Sequence, residues 1–456
     1  MTCGHFISIL GAGLALAGCT MIPKYERPTA PVAAQYPGAS QTNETDVADI
    51  AWPTFFADER LKRLIEVALT NNLDLRVAVL NVEQSRAQYR ITSSASYPTV
   101  NASAGYTHSY ANRISSDQWS ANLGSTAYEL DLFGHVRSLN RQALETYFAT
   151  AEAKRSAQIT LVSEVATEYF TLRQAEEQLQ LARKTLKSVQ ESYDVNKATF
   201  EAGASTELDV RTAEGQVQNA KINVLTYERQ LAQAENYLVL LIGQPLPAEL
   251  PPPQPFNSTN LLAEIPAGLP SELVQRRPDI LEAEHTLKAA NANIGAARSA
   301  FFPTITLTAS AGSTSSQLSQ LFSSGTGVWS FAPQVTLPIF TGGRNRAELD
   351  SAKIATRIDV ADYQKAIQTA FREVADALVA INTYAAQVDA EAVAISAEQV
   401  RYDLSNLRYH QGEDTYLNVL LAQQDLYSAQ QGILQAQFNK IAGQISLYQA
   451  LGGGWK

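Results

Sequence analysis

The strongest constraint on this 456-residue chain is that it contains one unit written twice. Asp74-Leu75 aligns with Asp279-Ile280 at an offset of 205, and Tyr97-Pro98-Thr99-Val100 aligns with Phe302-Pro303-Thr304-Ile305 at the same offset. Leu130 and Phe133 match Leu337 and Phe340 at 207. Glu164-Val165-Ala166 matches Glu373-Val374-Ala375 at 209, and that offset holds through Gly203/Gly412, Leu208/Leu417, Ala213/Ala422 and Gly243/Gly452. Two short gaps therefore align the halves, and each half reads as helix, strand pair, long helix, turn, helix.

Proline marks the joints. Five prolines fall between Pro23 and Pro53 and eight between Pro245 and Pro270, so these stretches are extended connectors. No proline occurs from Thr99 to Gln244 or from Ile339 to Lys456. The segment from about Val136 to Glu201 is rich in strong helix formers, with Leu161, Val165, Tyr169, Leu172, Leu179, Leu186 and Val189 at helical spacing. About 65 residues at 1.5 Å rise span roughly 100 Å, far beyond an ordinary globular helix. Gly203 predicts its end, with Ser205 and Thr206 as N-cap candidates for a returning helix. Gly412, followed by Asp414 and Thr415, repeats the device. The expected organisation is 1–18 address segment, 19–57 extended segment, 58–243 first repeat with a hairpin near 97–133, 244–270 connector, and 271–456 second repeat with a hairpin near 302–340.

Four runs alternate with a period of two. Ile305, Leu307, Ala309 and Ala311 point one way, and Thr304, Thr306, Thr308 and Ser310 the other. Val100, Ala102, Ala104 and Tyr106 alternate with Thr99, Asn101, Ser103 and Gly105; Trp329, Phe331, Val335, Leu337 and Ile339 alternate with Ser330, Gln334 and Thr336. Trp119, Ala121, Leu123 and Ala127 do so more weakly. Each run has the length of a tilted membrane-spanning strand, and the small polar face suits a wet lumen. Open sheet edges cannot persist in lipid, and four strands cannot enclose a useful lumen. Copies must pool their strands; three would supply twelve, two only eight.

Composition narrows the function. The formal charge of −10 argues against nucleic acid as partner. A polytopic helical membrane protein would be more apolar than a mean hydropathy of −0.15 allows. Cys3 and Cys19 are the only cysteines, which excludes a disulfide scaffold. The histidines, His5, His108, His135, His285 and His410, show no metal-binding spacing, and Gly452-Gly453-Gly454 has no helix after it to cradle phosphate. No catalytic residue, metal site or enzymatic activity is expected.

The apolar run from Phe6 to Ala17 is too short to span a bilayer and fits a secretory signal. Its ending, Leu16-Ala17-Gly18-Cys19, resembles a bacterial lipobox. The resemblance implies cleavage after Gly18 and a lipid anchor on Cys19, a covalent diacylglycerol and an N-acyl chain such as palmitate, with no other cofactor. Thr20 rather than Asp follows, which favours outer-membrane delivery.

Five runs together resemble the outer-membrane factor family, the TolC-type exit ducts of tripartite pumps: Tyr128-Glu129-Leu130-Asp131-Leu132-Phe133-Gly134, Gln275 to Glu284, Phe301 to Ile305, Leu337 to Gly343 and Leu451 to Trp455. The similarity is greatest to the OprM-like lipoprotein branch that serves resistance-nodulation-division multidrug exporters. It implies an α+β membrane protein, a homotrimer whose four strands per protomer build a 12-stranded outer-membrane β-barrel. That barrel is continuous with a long periplasmic α-helical barrel and a mixed equatorial domain. The implied partners are a periplasmic adaptor protein, an inner-membrane proton-driven multidrug transporter and outer-membrane lipid. The implied function is passive export of drugs and other small molecules from a Gram-negative cell.

The resemblance also implies a periplasmic gate just after the second hairpin turn. Leu417, Leu421, Gln424 and Asp425 are spaced to share one helix face there. Relatives carry Asp and Arg where Leu421 and Gln424 stand, so an ion-pair gate gives way here to two leucine rings with Asp425 as a carboxylate ring. The hairpin tips, Gly203, Ser205, Gly412 and Glu413, are the expected adaptor contacts. Two other readings stand beside this one: a duct for type I secretion or metal export, and a structural envelope lipoprotein. Methionine occurs only at Met1 and Met21, which disfavours copper or silver, and a structural protein needs no lumen.

Overall fold

The computed structural model describes residues 20–33, 36, 50–256, 262 and 276–455. Cys19, the address segment and most of the 257–275 connector lie outside the described residues. Eight α-helices and four strands occur among the described residues: α1 Trp52–Phe55, α2 Glu59–Asn71, α3 Leu73–Ser94, β1 Asn101–Ala111, β2 Ile114–Leu130, α4 His135–Glu201, α5 Glu207–Ile242, α6 Pro278–Ser299, β3 Thr304–Ser315, β4 Gly327–Thr336, α7 Arg344–His410 and α8 Tyr416–Ala450. The four strands expected from alternation are present, and α4 and α7 each run 67 residues. No described helix is long and apolar enough to cross a membrane.

Two compact units draw on both sequence repeats. One comprises residues 1–29, 80–152 and 281–366; the other comprises 30–79, 153–280 and 367–456. The repeats seen in the sequence are therefore not the packing units.

The first unit carries the sheet, an antiparallel meander in the order β1-β2-β3-β4. β2 and β3 pair across the repeat boundary, with Leu123 opposite Ala311 and Leu130 opposite Ile305. Only backbone can sit between them at two points: a Cβ on Gly312 would lie 2.2 Å from the Ala121 carbonyl, and one on Gly124 2.5 Å from the Ala309 carbonyl. The pairing slips between Ser125 and Tyr128, where Ala127 has φ of 52°. Ala127 thus sits in a bulge, and Tyr128 resumes the apolar face that the sequence assigned to Ala127.

An extended strap, residues 21–27, lies on one stripe of α6 in the same unit. Arg298 donates to the Met21 carbonyl at 3.2 Å and Asn291 to that of Pro23 at 2.9 Å. A Cβ on Gly295 would meet Ile22 at 2.7 Å, so glycine lets the strap approach. Lys288 lies over the Tyr25 ring, and Arg27 grips Glu284 through Nε at 3.1 Å and Nη2 at 2.7 Å. These helix positions step by three or four residues, which defines one face. Fourteen helical residues rise about 21 Å, and six extended steps cover about 20 Å, so strap and stripe stay in register.

The second unit closes on an aromatic core. Phe55 stacks on Tyr448 at 4.0 Å, both with essentially no exposed surface. Each such ring contributes about 1.5–3 kcal/mol by leaving water. Asp58, 1% exposed, caps α2 through the Arg60 N–H at 2.8 Å and accepts from Tyr169 Oη at 2.6 Å and Gln254 N at 3.3 Å. Burial, then the Asp58 bond, push the Tyr169 phenol far above its ordinary value. Arg277 is buried between Asp279 (2.6 Å) and Glu373 (2.8 Å) and donates to the Ala450 carbonyl at 2.9 Å. That charge is fully satisfied, which is the condition for tolerating it inside.

Candidate functional site

The strand register decides how the four alternating patterns add up. Tyr106 faces Trp119 and Ala104 faces Ala121; Ala121 faces Ser313 and Leu123 faces Ala311; Ala311 faces Trp329, Ala309 faces Phe331 and Ile305 faces Val335. Residues directly opposite share a face. One face of the sheet is therefore mainly apolar and aromatic, with Ser125, Ser313, Ser315 and the His108–Asp117 pair as polar members on it. The other face collects Asn101, Ser103, Asn122, Ser310, Ser330, Gln334 and the Thr304–Thr336 pair. Ser310 and Ser330 hydroxyls meet at 2.8 Å. Both outer strands lack a second partner among the described residues, although β1 has 11 residues and β4 has 10. In hydrocarbon each unpaired backbone group costs several kcal/mol, so these edges require pairing.

The helical end of the second unit is the other candidate. After Glu201 the chain makes a Schellman turn: Ala204 N bonds the Thr199 carbonyl at 2.9 Å and Gly203 N that of Phe200 at 2.8 Å. Gly203 has φ of 77°, which only glycine adopts freely. Ser205 Oγ reaches back to the Asn196 carbonyl at 3.4 Å. Thr206 and Asp209 then form a capping box for α5. The second turn has the same pattern, with Glu413 N on the Arg408 carbonyl and Gly412 N on that of Tyr409, both at 3.0 Å. Gly412 has φ of 75°. Glu413 is exposed. Asp414 rather than Thr415 supplies the local bonds, to Asn418 and the Thr415 N–H. The Asn418 amide first, then that N–H and the Arg408 charge, hold the Asp414 carboxyl below its usual range.

The two turns belong to one packed end. Tyr416, Val419 and Leu420 of α8 bury against Ala213 of α5, with Tyr193 of α4 and Tyr402 and Tyr409 of α7 around them. Burying that face leaves Leu417, Leu421, Gln424 and Asp425 exposed together on the opposite face of α8. Leu417 keeps 57% and Leu421 47% of its surface open. Exposed leucines in a row call for a partner or a pore. Asp425 has a partner that the sequence does not reveal: Arg401 of α7, which also pairs with Glu398 at 3.0 Å. Twenty-four residues separate Arg401 and Asp425, so no helical spacing signals the contact.

Sequence reasoning also passes over two buried carboxylates of the first unit. Glu284 is described above; Glu145, 1% exposed, accepts from His285 Nδ1 at 2.6 Å and pairs with Arg141 at 2.5 Å. Burial would raise the Glu145 carboxyl, yet His285, Arg141 and Lys288 hold it below its ordinary value. Among the described residues no cluster of His, Cys, Asp and Glu could hold a metal ion.

Known proteins share this arrangement. The chain is 46% identical to the toluene efflux pump outer membrane protein TtgC of Pseudomonas putida, over 98% of its own length and 95% of the relative's. It is 40% identical to the cation efflux system protein CusC of Escherichia coli, over 97% of each. The crystal structure of the open state of the Neisseria gonorrhoeae MtrE outer membrane channel superposes with a TM-score of 0.90 at 41% identity, covering 96% of this chain and 99% of that one. The family model for outer membrane efflux protein matches residues 64–244 and 269–453, one match per repeat. The chain belongs to the outer membrane efflux protein family.

Proposed function

We propose that this protein is the passive exit duct of a tripartite efflux pump, a homotrimer carrying small organic molecules across the outer membrane. A periplasmic adaptor and an inner-membrane proton-driven transporter deliver the cargo; the duct makes and breaks no bonds. The observation that carries this reading is the sheet: one mainly apolar face, one polar face and two edges that are unpaired among the described residues. Three copies close those edges into a twelve-stranded ring, the apolar face meets lipid and the polar face meets water. Eight strands from two copies leave an interior that side chains fill. The TtgC relative, named for toluene, supports organic cargo, whereas the scarcity of methionine weighs against soft-metal ions as cargo here, although the CusC relative is named for cation efflux. Light scattering of the detergent-extracted protein tests the assembly: three chain masses are expected, and a lone monomer refutes the duct.

Within that duct, Cys19 carries the acyl anchor, and mass spectrometry of the mature N-terminus reads it directly. Leu417 and Leu421 narrow the periplasmic mouth, with Gln424 and Asp425 beside them. The Arg401–Asp425 ion pair ties α7 to α8 at this level, so Asp425 acts as half of a brace rather than as a free carboxylate. Replacing both leucines by alanine should raise single-channel conductance in a planar bilayer; unchanged conductance puts the constriction elsewhere. Gly203, Ser205, Gly412 and Glu413 present the adaptor with two tight turns. Glu413→Lys should reduce adaptor crosslinking without altering the fold.

A further inference from the structure

The internal repeat lets each contact within one chain be carried to its counterpart. β2 runs into α4, α6 runs into β3, and the two junctions pack together. Leu130 lies opposite Ile305, Phe133 stacks on Phe302 at 5.0 Å, and His285 of α6 meets Glu145 of α4 at 2.6 Å. The seam is continuous from strands to helices. Ser138 and Glu145 of α4 are 0% and 1% exposed, and a Cβ on Gly295 of α6 would lie 2.6 Å from Ser138 Oγ. The repeat carries β2–α4 onto β4–α7, and α6–β3 onto α3–β1. Those counterparts begin or end at the two strands that lack a second partner among the described residues.

Carried over, the three pairs name six residues. Phe133 and Phe302 become Phe340 and Tyr97, at offsets of 207 and 205. Leu130 and Ile305 become Leu337 and Val100 at the same offsets. α4 starts at His135 and α7 at Arg344, 209 residues on, so Glu145 becomes Ile354, while His285 becomes Leu80 at 205. An aromatic pair maps onto an aromatic pair, an aliphatic pair onto an aliphatic pair, and a buried polar pair onto two aliphatic side chains. All six are open: Phe340 90%, Tyr97 72%, Val100 69%, Leu337 and Ile354 53% each, and Leu80 52%. Ala347, the counterpart of buried Ser138, is exposed as well. So long an apolar row calls for cover. One chain cannot supply it, because Tyr97 precedes β1 and Phe340 follows β4, the opposite edges of the sheet.

We infer that this row is the docking surface for a second copy of the chain: Tyr97 of one copy stacks on Phe340 of the next, Val100 lies opposite its Leu337, and Leu80 packs on its Ile354. The occupant is another copy because the complementary surfaces already fit each other once within the chain, at β2–α4 and α6–β3. The row also continues from the β1 and β4 edges, which must pair in lipid. Each copy offers one surface and receives the other, the head-to-tail arrangement that closes into a ring. Within the chain the helical joint is the His285–Glu145 pair, whereas between copies it is Leu80 on Ile354, so no charge is stripped of water when copies meet. The inference rests on the duct reading and deepens it by naming the side chains that join the copies.

Cysteine crosslinking of the full-length protein in non-ionic detergent tests this, with copper–phenanthroline as the oxidant and a denaturing, non-reducing gel as the readout. Directly opposite positions on antiparallel strands hold their Cα atoms about 4.5–5.5 Å apart, within disulfide reach. Val100→Cys combined with Leu337→Cys should give bands at two and three chain masses that collapse on reduction. Each single variant should stay at one, which also controls for native Cys3 and Cys19. Val100→Cys with Val393→Cys, about 50 residues along α7, controls for random collision. If the first double variant fails to fold, Leu80→Cys with Ile354→Cys, both on exposed helix faces, carries the test. Phe340→Ala removes a ring that touches little in its own chain, so it should lower the temperature at which the oligomer dissociates while helical circular dichroism is kept. Light scattering of the same samples separates the two readings. A trimer that yields no covalent oligomer, or one crosslinked equally through Val393→Cys, overturns this seam and leaves the duct; a lone monomer overturns both.

Discussion

Replacing Glu284 by glutamine should release the N-terminal strap. The carboxylate is 2% exposed and receives Arg27 in two bonds, Tyr25 Oη at 3.1 Å and Lys288 Nζ at 3.0 Å. Breaking a fully buried pair costs about 3–5 kcal/mol. Exposed pairs give about 0.2–1 kcal/mol. Here the acceptor is buried while Arg27 keeps 45% and Lys288 25% of its side-chain surface. Water therefore compensates both cations in part, and glutamine retains one acceptor oxygen. A cost of about 1.5–3 kcal/mol follows, which is roughly a tenfold to hundredfold increase in strap opening at 1.4 kcal/mol per decade. Hydrogen exchange of the amides of residues 20–29 reads this directly. The Asn291 and Arg298 bonds remain, so loss of protection should be greatest near Arg27 and fade toward Met21. The pH dependence has a definite sign. Burial opposes the Glu284 charge, but Arg27 and Lys288 outweigh it and hold the carboxyl below its ordinary value. The strap should thus keep its full hold above the ordinary glutamate value of about 4.3. It loses that hold as pH falls through the lowered one. Exchange changed less than about twofold by Glu284→Gln would refute the reasoning, as would loosening that begins near neutral pH in the parent protein.

Three further outcomes follow from the packing. Gly312→Val drives a branched side chain into the Ala121 carbonyl at the β2–β3 seam and should abolish the detergent-resistant oligomer on gels while helical circular dichroism persists. Asp58→Ala removes the α2 cap and orphans the buried Tyr169 hydroxyl, so thermal or denaturant unfolding should report a loss of about 2–4 kcal/mol. Gly412→Ala meets no neighbour within 4 Å, so its cost should be only the left-handed backbone penalty of about 1–2 kcal/mol, read by the same unfolding measurement.

What could be read from the chain alone was whatever repeats at short range. Helix-forming runs without proline, glycines that stop them at Gly203 and Gly412, and period-two alternation are written in neighbouring residues, and they lead to four strands and two helical hairpins. The register of 205–209 residues between halves adds the repeat. Even the shared helix face of Leu417, Leu421, Gln424 and Asp425 follows from helical spacing, while its exposure comes from the packing of Tyr416, Val419 and Leu420 on the other side. Tertiary structure alone decided which alternating faces coincide, because β2 and β3 meet across a long stretch of chain and a bulge at Ala127 resets the phase. It alone joined Arg401 to Asp425, Arg27 to Glu284 and His285 to Glu145, the last two separated by 257 and 140 residues. Asn345 looks like any polar residue at a helix start until the fold buries its oxygen. The reason is physical: local conformation answers to nearest neighbours, whereas burial and pairing of charge depend on segments that the chain brings together only once it has folded.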